Sequence, residues 1–213
     1  MHGTEFVFMR HAESRSNLLG TVTSARPGSG LSADGALEAR QAGTKSALGQ
    51  LSAVFSSPLE RARKTAEHVR DELPGRTSEL AVHTDDRLCE FEVGVLEGRT
   101  DHVARQQLWS AWSRWLDQED LEHRPAERSE SGQEAVDRFQ DFVRSTAKVR
   151  PGERILVVSH GTLLQLALTC LCVNITRNVH DRWISNTGLV QTTYVNDELI
   201  CPHWEAPRPK VVL

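Results

Sequence analysis

Phe6-Val7-Phe8-Met9 runs into Arg10-His11-Ala12-Glu13, and Ile155-Leu156-Val157-Val158 runs into Ser159-His160-Gly161. Each apolar run has the length and composition of a buried strand, and each ends in a histidine. In an α/β sheet, ligands bind beyond the carboxyl ends of the strands, so both imidazoles are placed to project into one crevice.

Reading outward from these two strands, Leu51 to Phe55 forms another, a short strand lies near Ala81 to His83, and 188–195 with 198–204 alternate as an antiparallel pair. Helices are expected over 36–48, from Ser57 to about Glu72, over 132–149 and over 161–173. Ser57-Pro58-Leu59-Glu60 has a cap residue, a proline in the first position and an acid in the third, a favourable helix start. Residues 14–30 read as a loop or broken helix, and Leu88 to Gly94 as a loop between elements. Strands interleaved with helices by short connections indicate a single α/β domain spanning 1–213.

Composition narrows the function classes. The chain has 213 residues, 38% hydrophobic and 25% charged, with a formal net charge of −4. That balance suits a soluble protein with one core and offers no basic field for nucleic acid. No stretch approaches the roughly 20 apolar residues of a membrane span, and no secretory leader is expected at the N-terminus. The cysteines, Cys89, Cys170, Cys172 and Cys201, form no C-x-x-C pair and read as packing thiols of a cytoplasmic protein.

The chemistry sits around His11. A neutral imidazole can attack phosphorus and hold the phosphoryl group, splitting one displacement into two easier ones. Such a nucleophile needs donors for the phosphate oxygens. Arg10 is adjacent in sequence, Arg61 lies in the first turn of the helix after the second strand, and His160 ends the other strand. Asn17 adds a neutral donor. The leaving oxygen requires a carboxyl group of raised pKa, for which Glu90 is the first choice, Glu92 the second and Glu13 the third. The closeness of Glu13 to Arg10 argues for a structural ion pair instead.

Here the chain resembles the histidine phosphatase superfamily, also called phosphoglycerate mutase-like. Arg10-His11-Ala12-Glu13-Ser14 with Asn17 is similar to that family's R-H-G-E-T-x-x-N opening. Leu31-Ser32-x-x-Gly35 with Gln41-Ala42, and Ser56-Ser57-Pro58-Leu59-x-Arg61-Ala62-x-x-Thr65-Ala66, follow in the family's order. Glu90-x-Glu92-x-Gly94 with Glu97-Gly98, then Val158-Ser159-His160-Gly161 and Asn186-Thr187-Gly188, complete the set. The chain departs from the pattern at Ala12, where glycine is usual, and at Glu92, where aspartate is common.

The resemblance implies a three-layer sandwich: a mostly parallel central sheet with one antiparallel strand, helices on both faces, and residues 99–128 as a small lid. It implies His11 as phosphorylated nucleophile, Glu90 as proton donor, and Arg10, Arg61 and His160 around the phosphate, with Asn17 and Gly161 as further contacts. No metal and no cofactor are expected. The activity implied is a metal-independent phosphomonoesterase acting on a small phosphorylated metabolite, with no nucleic-acid or membrane partner. Oligomeric state, a homodimer included, is left open by the sequence. Mutases of the family carry a longer insertion with an E-R-H-Y-G segment, absent from 99–128. A phosphoglycerate-type mutase, a non-catalytic phosphate-binding module and a metal hydrolase using His11, His160 and Glu90 are the alternatives.

Residues 99–128 are the least decided. Trp109, Trp112 and Trp115 share a helical face by spacing. The plainer expectation is that this face packs the segment onto the core. The other is an aromatic wall over the site, with His102, Arg105 or Arg114 selecting a second polar group.

Overall fold

The computed structural model describes residues 3–75, 80–175 and 183–205. The tail from Pro207 to Leu213, free or docked on a partner as far as sequence goes, lies outside the described residues. The strands are β1 (Thr4–Arg10), β2 (Ala53–Ser56), β3 (Val82–Thr84), β4 (Arg154–Ser159), β5 (Leu189–Val195) and β6 (Glu198–Trp204), in the sheet order β3-β2-β4-β1-β5-β6. β3, β2, β4 and β1 are mutually parallel; β5 runs antiparallel to β1, and β6 antiparallel to β5. The β5–β6 turn is Asn196-Asp197, both at positive φ, the backbone that a tight hairpin of right-handed strands requires.

Side chains alternate across a strand, and the two cores follow that rule. Phe6, Phe8, Ile155 and Val157 enter one cluster; Val7, Met9, Leu156 and Val158 enter the other. The first cluster is covered by α5 (Gly132–Val149) and α6 (Gly161–Leu171), the second by α2 (Ala33–Gly43) and α3 (Glu60–Asp71). An apolar stripe on α5, from Ala135 through Phe139, Phe142 and Val143 to Thr146, has the period of a helix lying on a sheet. Its start is fixed by a capping box between Ser131 and Glu134.

The expected elements are present with shifted ends. Residues 14–30 contain only α1 (Arg15–Leu19), opened by a Ser14–Asn17 capping box and ended by Gly20 in the left-handed conformation. α2 begins at Ala33 rather than Ala36, because the Ser32 hydroxyl accepts from the Gly35 amide. Gly35 is tolerated inside it for a steric reason. A Cβ there would lie 1.9 Å from the carbonyl oxygen of Glu13, so the helix can press against the chain leaving β1 only without a side chain. α3 starts two residues later than its cap signal suggests: Leu59 is the N-cap, and Ser57 is used elsewhere. α4 (His102–Asp117) is capped by Asp101, which accepts from the Ala104 amide at 3.1 Å. Among the described residues no helix is long and apolar enough to cross a membrane.

Replacing Gly35 by alanine forces α2 and the Glu13 backbone apart. We expect Gly35→Ala to lower stability by about 1–3 kcal/mol in urea unfolding, despite alanine's better helix propensity. A stability at or above that of the parent would show that this contact is not tight.

Candidate active site

Strand register builds the site. Arg10 pairs with Ser159 across β1 and β4, so the next residue of each strand, His11 and His160, emerges at the same sheet edge. Their ring centroids are 5.2 Å apart. β2 lies on the other side of β4 with Ser56 opposite Val158, which brings Ser57 beside His160 and starts α3, carrying Arg61, over the same edge. The chain leaves β1 toward one side of the sheet and β4 toward the other, so the crevice lies at a topological switch point.

The tautomer of His11 is set by its surroundings. Its Nδ1 lies 2.7 Å from the Ala12 carbonyl oxygen, which can only accept, so Nδ1 carries the proton. Nε2 keeps its lone pair and accepts from Arg61 Nε at 3.2 Å. The backbone around the ring is tied down as well: the Ala12 amide donates to Thr65 Oγ1 and Asn186 Nδ2 donates to the His11 carbonyl. Burial, with the charges of Arg61 and Arg10, holds the His11 pKa well below its usual value. The ring is a neutral base at physiological pH.

His160 is fully buried, and its Nε2 lies 2.8 Å from Ser57 Oγ. This is where the supposed cap residue is spent. Burial, then Arg61 and His11, push the His160 pKa far down. The ring is therefore neutral, and it donates to a phosphate oxygen only through a ring N–H. Arg10 donates to the Ile184 carbonyl at 2.9 Å, and its guanidinium lies over the Trp183 ring, 5.0 Å from the centroid. Burial lowers its pKa to about 10, which leaves it charged at neutral pH. Gly161 makes room for it: a Cβ would meet Arg10 Nε at 2.9 Å. Arg61 is buried and donates to the Thr23 carbonyl at 3.1 Å. Three buried polar atoms have no hydrogen-bond partner here: Arg10 Nε, Arg61 Nη1 and His160 Nδ1.

Glu90 lines the same cavity, with His11, Arg10 and Arg61. One of its oxygens, Oε1, accepts from the amides of Phe91 at 3.2 Å and Leu163 at 3.0 Å. Its pKa is raised: burial outweighs Arg61 and these amides, which all favour the carboxylate. Glu92 is exposed and lines a separate cavity with Glu97, Glu130 and Arg138, so the choice between the two acids goes to Glu90. Glu13 forms no ion pair with Arg10; its carboxylate accepts from Ser32 Oγ at 2.7 Å. Arg63 and Lys64 pair with Glu67 on the outside of α3, as expected of surface charges.

The cavity holds about 320 Å³, within the range of small-molecule sites. Asn17 and Gly161 line it; the Asn17 Oδ1 is occupied by the Ser14 amide, leaving its amide nitrogen as the donor. The tryptophans divide. Trp115 is in the core, edge-on to Phe91, with Nε1 donating to the His123 carbonyl. Trp109 and Trp112 line the cavity, as does Arg105, whereas Arg114 is paired with Asp120 and His102 is not in the lining. The sequence assigned no site role to Ser57, Thr65, Asn186 or Trp183. The first three lie in motif stretches, but no signal marked Trp183.

Comparison with known proteins agrees with this geometry. The family model described as "Histidine phosphatase superfamily (branch 1)" matches residues 6–207. An Escherichia coli O1:K1 protein named "Probable phosphoglycerate mutase GpmB" is 32% identical over 164 residues, 76% of this chain and 70% of that protein. Among solved structures, YhfR of Bacillus stearothermophilus superposes with a TM-score of 0.78 at 23% identity, over 93% of this chain and 95% of its own. A mutant phosphoserine phosphatase from Entamoeba histolytica, in complex with phosphoserine, does so with a TM-score of 0.76 at 20% identity, over 95% and 96%. The order of strands, the motifs they carry and the extent of these matches together place this chain in branch 1 of the histidine phosphatase superfamily.

Proposed function

We propose that the protein is a phosphomonoesterase that works through a phosphohistidine on His11. The observation that carries this reading is the His11 ring. It is held neutral with its Nε2 lone pair among Arg10, Arg61 and His160, each of which has a buried polar atom awaiting a partner. An entering phosphate dianion supplies acceptors for these groups and displaces Arg61 Nε from the lone pair.

In the first step Nε2 forms a bond to phosphorus and the ester P–O bond breaks. Glu90, its pKa raised by burial, delivers its proton to the departing oxygen. In the second step the Glu90 carboxylate removes a proton from water. The resulting P–O bond displaces His11, releasing inorganic phosphate and restoring the acid. Arg10 and Arg61 hold the equatorial oxygens, and a neutral His160 donates through Nδ1–H when Ser57 O–H donates to its Nε2. No step requires a metal ion.

A mutase uses the same two half-reactions but returns the phosphoryl group to a retained anionic sugar acid. Hydrolysis is favoured because, among the described residues, the outer cavity is lined mainly by Val22, Phe91, Val93, Leu108 and three tryptophans, with Arg105 the one cation beyond Arg10 and Arg61 and with hydroxyls from Ser16, Thr21, Thr23 and Thr162. The name of the Escherichia coli relative describes that protein; free phosphate released without a bisphosphorylated primer is the result that separates the two activities here.

Three outcomes follow. Quenching turnover of a radiolabelled ester in alkaline detergent should trap an alkali-stable label on the protein, absent from His11→Ala and undiminished by chelators. A parent enzyme that turns over without the label would overturn the intermediate. Glu90→Gln should slow phosphoryl transfer from an alkyl ester by about 10²–10⁴ in single turnover, and far less from p-nitrophenyl phosphate, whose leaving group needs no proton. Finally, kcat/KM should fall as pH rises through the raised pKa of Glu90, because the donor proton is lost. The acid-side fall should be the one set by the second ionisation of the substrate phosphate, about pH 6, with none added by His11, whose pKa lies well below its usual value. An inverted profile would reassign both groups.

A further inference from the structure

We infer that the leaving group this site selects is a flat aromatic one, held between α4 and Trp183; the inference rests on the phosphomonoesterase reading above. It comes from how α4 divides its faces. Ala104, Ala111 and Trp115 are buried in the core. Arg105, Leu108, Trp109 and Trp112, at spacings i, i+3, i+4 and i+7, form the adjoining stripe, and all four line the cavity.

Trp109 is 63% exposed and Trp183, across the phosphate end, is 41% exposed. A single exposed tryptophan needs no explanation. Two half-open indoles that line one cavity, with Trp112 beside them and buried Phe91 and Val22 in the same lining, form an apolar slot above a cationic floor.

The chemistry of that slot is specific. Among the described residues it offers indole surfaces for stacking, and its polar groups outside the phosphate cradle are the hydroxyls of Ser16, Thr21, Thr23 and Thr162 and the Arg105 guanidinium. A polyhydroxylated leaving group lying against the indoles would lose hydration on that side without replacement. A planar aromatic group loses little and gains area and stacking. The ester that fits is one whose phosphate reaches His11 while an aryl or arylalkyl body lies against Trp109 and Trp112.

Leaving-group acidity must be kept out of the test, so the esters compared are all of alkyl alcohols: 2-phenylethyl phosphate, ethyl phosphate and glycerol 3-phosphate. The full chain should hydrolyse 2-phenylethyl phosphate with a kcat/KM about tenfold or more above the other two. The ratio should collapse toward one in Trp109→Ala/Trp112→Ala and survive in Trp109→Phe/Trp112→Phe, which keeps aromatic faces. Thermal melts of both variants report that the fold is intact; Trp109 is exposed and Trp112 only partly buried. Benzylphosphonate, which cannot be hydrolysed, should bind the parent about tenfold or more tighter than the doubly alanine-substituted protein, read by tryptophan fluorescence, to which Trp183 still contributes in the variant. Equal kcat/KM for the three esters, or a preference unchanged by the alanine pair, overturns the aromatic slot and leaves the phosphatase standing. Absence of phosphate release from every ester, with no label on His11, overturns the phosphatase instead.

Discussion

The pairing of β1 with β4 is the constraint on which the rest depends. Parallel neighbours lie about 4.8 Å apart, and the register Arg10 to Ser159 leaves their last residues level. His11 and His160 then meet without any loop having to be ordered around them. A shift of one residue in either strand would move its histidine along the edge and invert which of its apolar residues enter each core. The alternation of Phe6 and Phe8 against Val7 and Met9, matched by Ile155 and Val157 against Leu156 and Val158, makes such a slip expensive. The same burial that stabilises the sheet therefore fixes the catalytic geometry.

Electrostatics of the crevice follow from this placement. Two guanidinium groups, two imidazoles and a carboxyl share a space from which most water is excluded. The cations are the groups that stay charged, so the others adjust: the imidazole pKa values are pushed down and that of the buried carboxyl is pushed up. Each adjustment costs stability. Unfolded histidine takes up a proton as pH falls below about 6.5, while the folded site refuses it, so this penalty is absent above that pH and grows on acidification. Glu90 acts in the opposite sense: its penalty appears above the usual carboxyl pKa and grows up to its raised one. An arriving phosphate dianion offsets the excess of positive charge, so the strain of the empty site is directed at the ligand.

Much of this could be read from residue order, for identifiable reasons. Strand ends, helix periods and the charged residues of the motifs are local signals, and the chemistry assigned to His11, Arg10, Arg61 and Glu90 coincides with side chains gathered in one cavity. What escaped the sequence depends on direction in space. Ser57 resembles a helix cap, but the level of β2 against β4 turns its hydroxyl toward His160. Glu13 sits near Arg10 in sequence, yet Arg10 turns to Ile184 and Trp183 while Glu13 meets Ser32. Glu90 and Glu92 are two apart in a segment without regular structure, so no period assigns either to the cavity. Only the packing of Phe91 against Trp115 and the amide of Leu163 do so.

The tryptophans show why specificity is harder to read than chemistry. Positions 109, 112 and 115 fan across roughly a third of a helix circumference, wide enough to span core and cleft, and the boundary is drawn by small residues. Ala104 and Ala111 let α4 approach the core, with Trp115 filling the gap beside Phe91, and this roll of the helix leaves Trp109 and Trp112 over the cavity. The phosphate floor is held by sheet edges and helix starts, whereas the α4 wall is held by one helix through the face adjoining it. Side chains on the cavity stripe of α4 can therefore change without disturbing the register that aligns His11 with His160. The fold keeps the choice of leaving group mechanically separate from the chemistry performed on it.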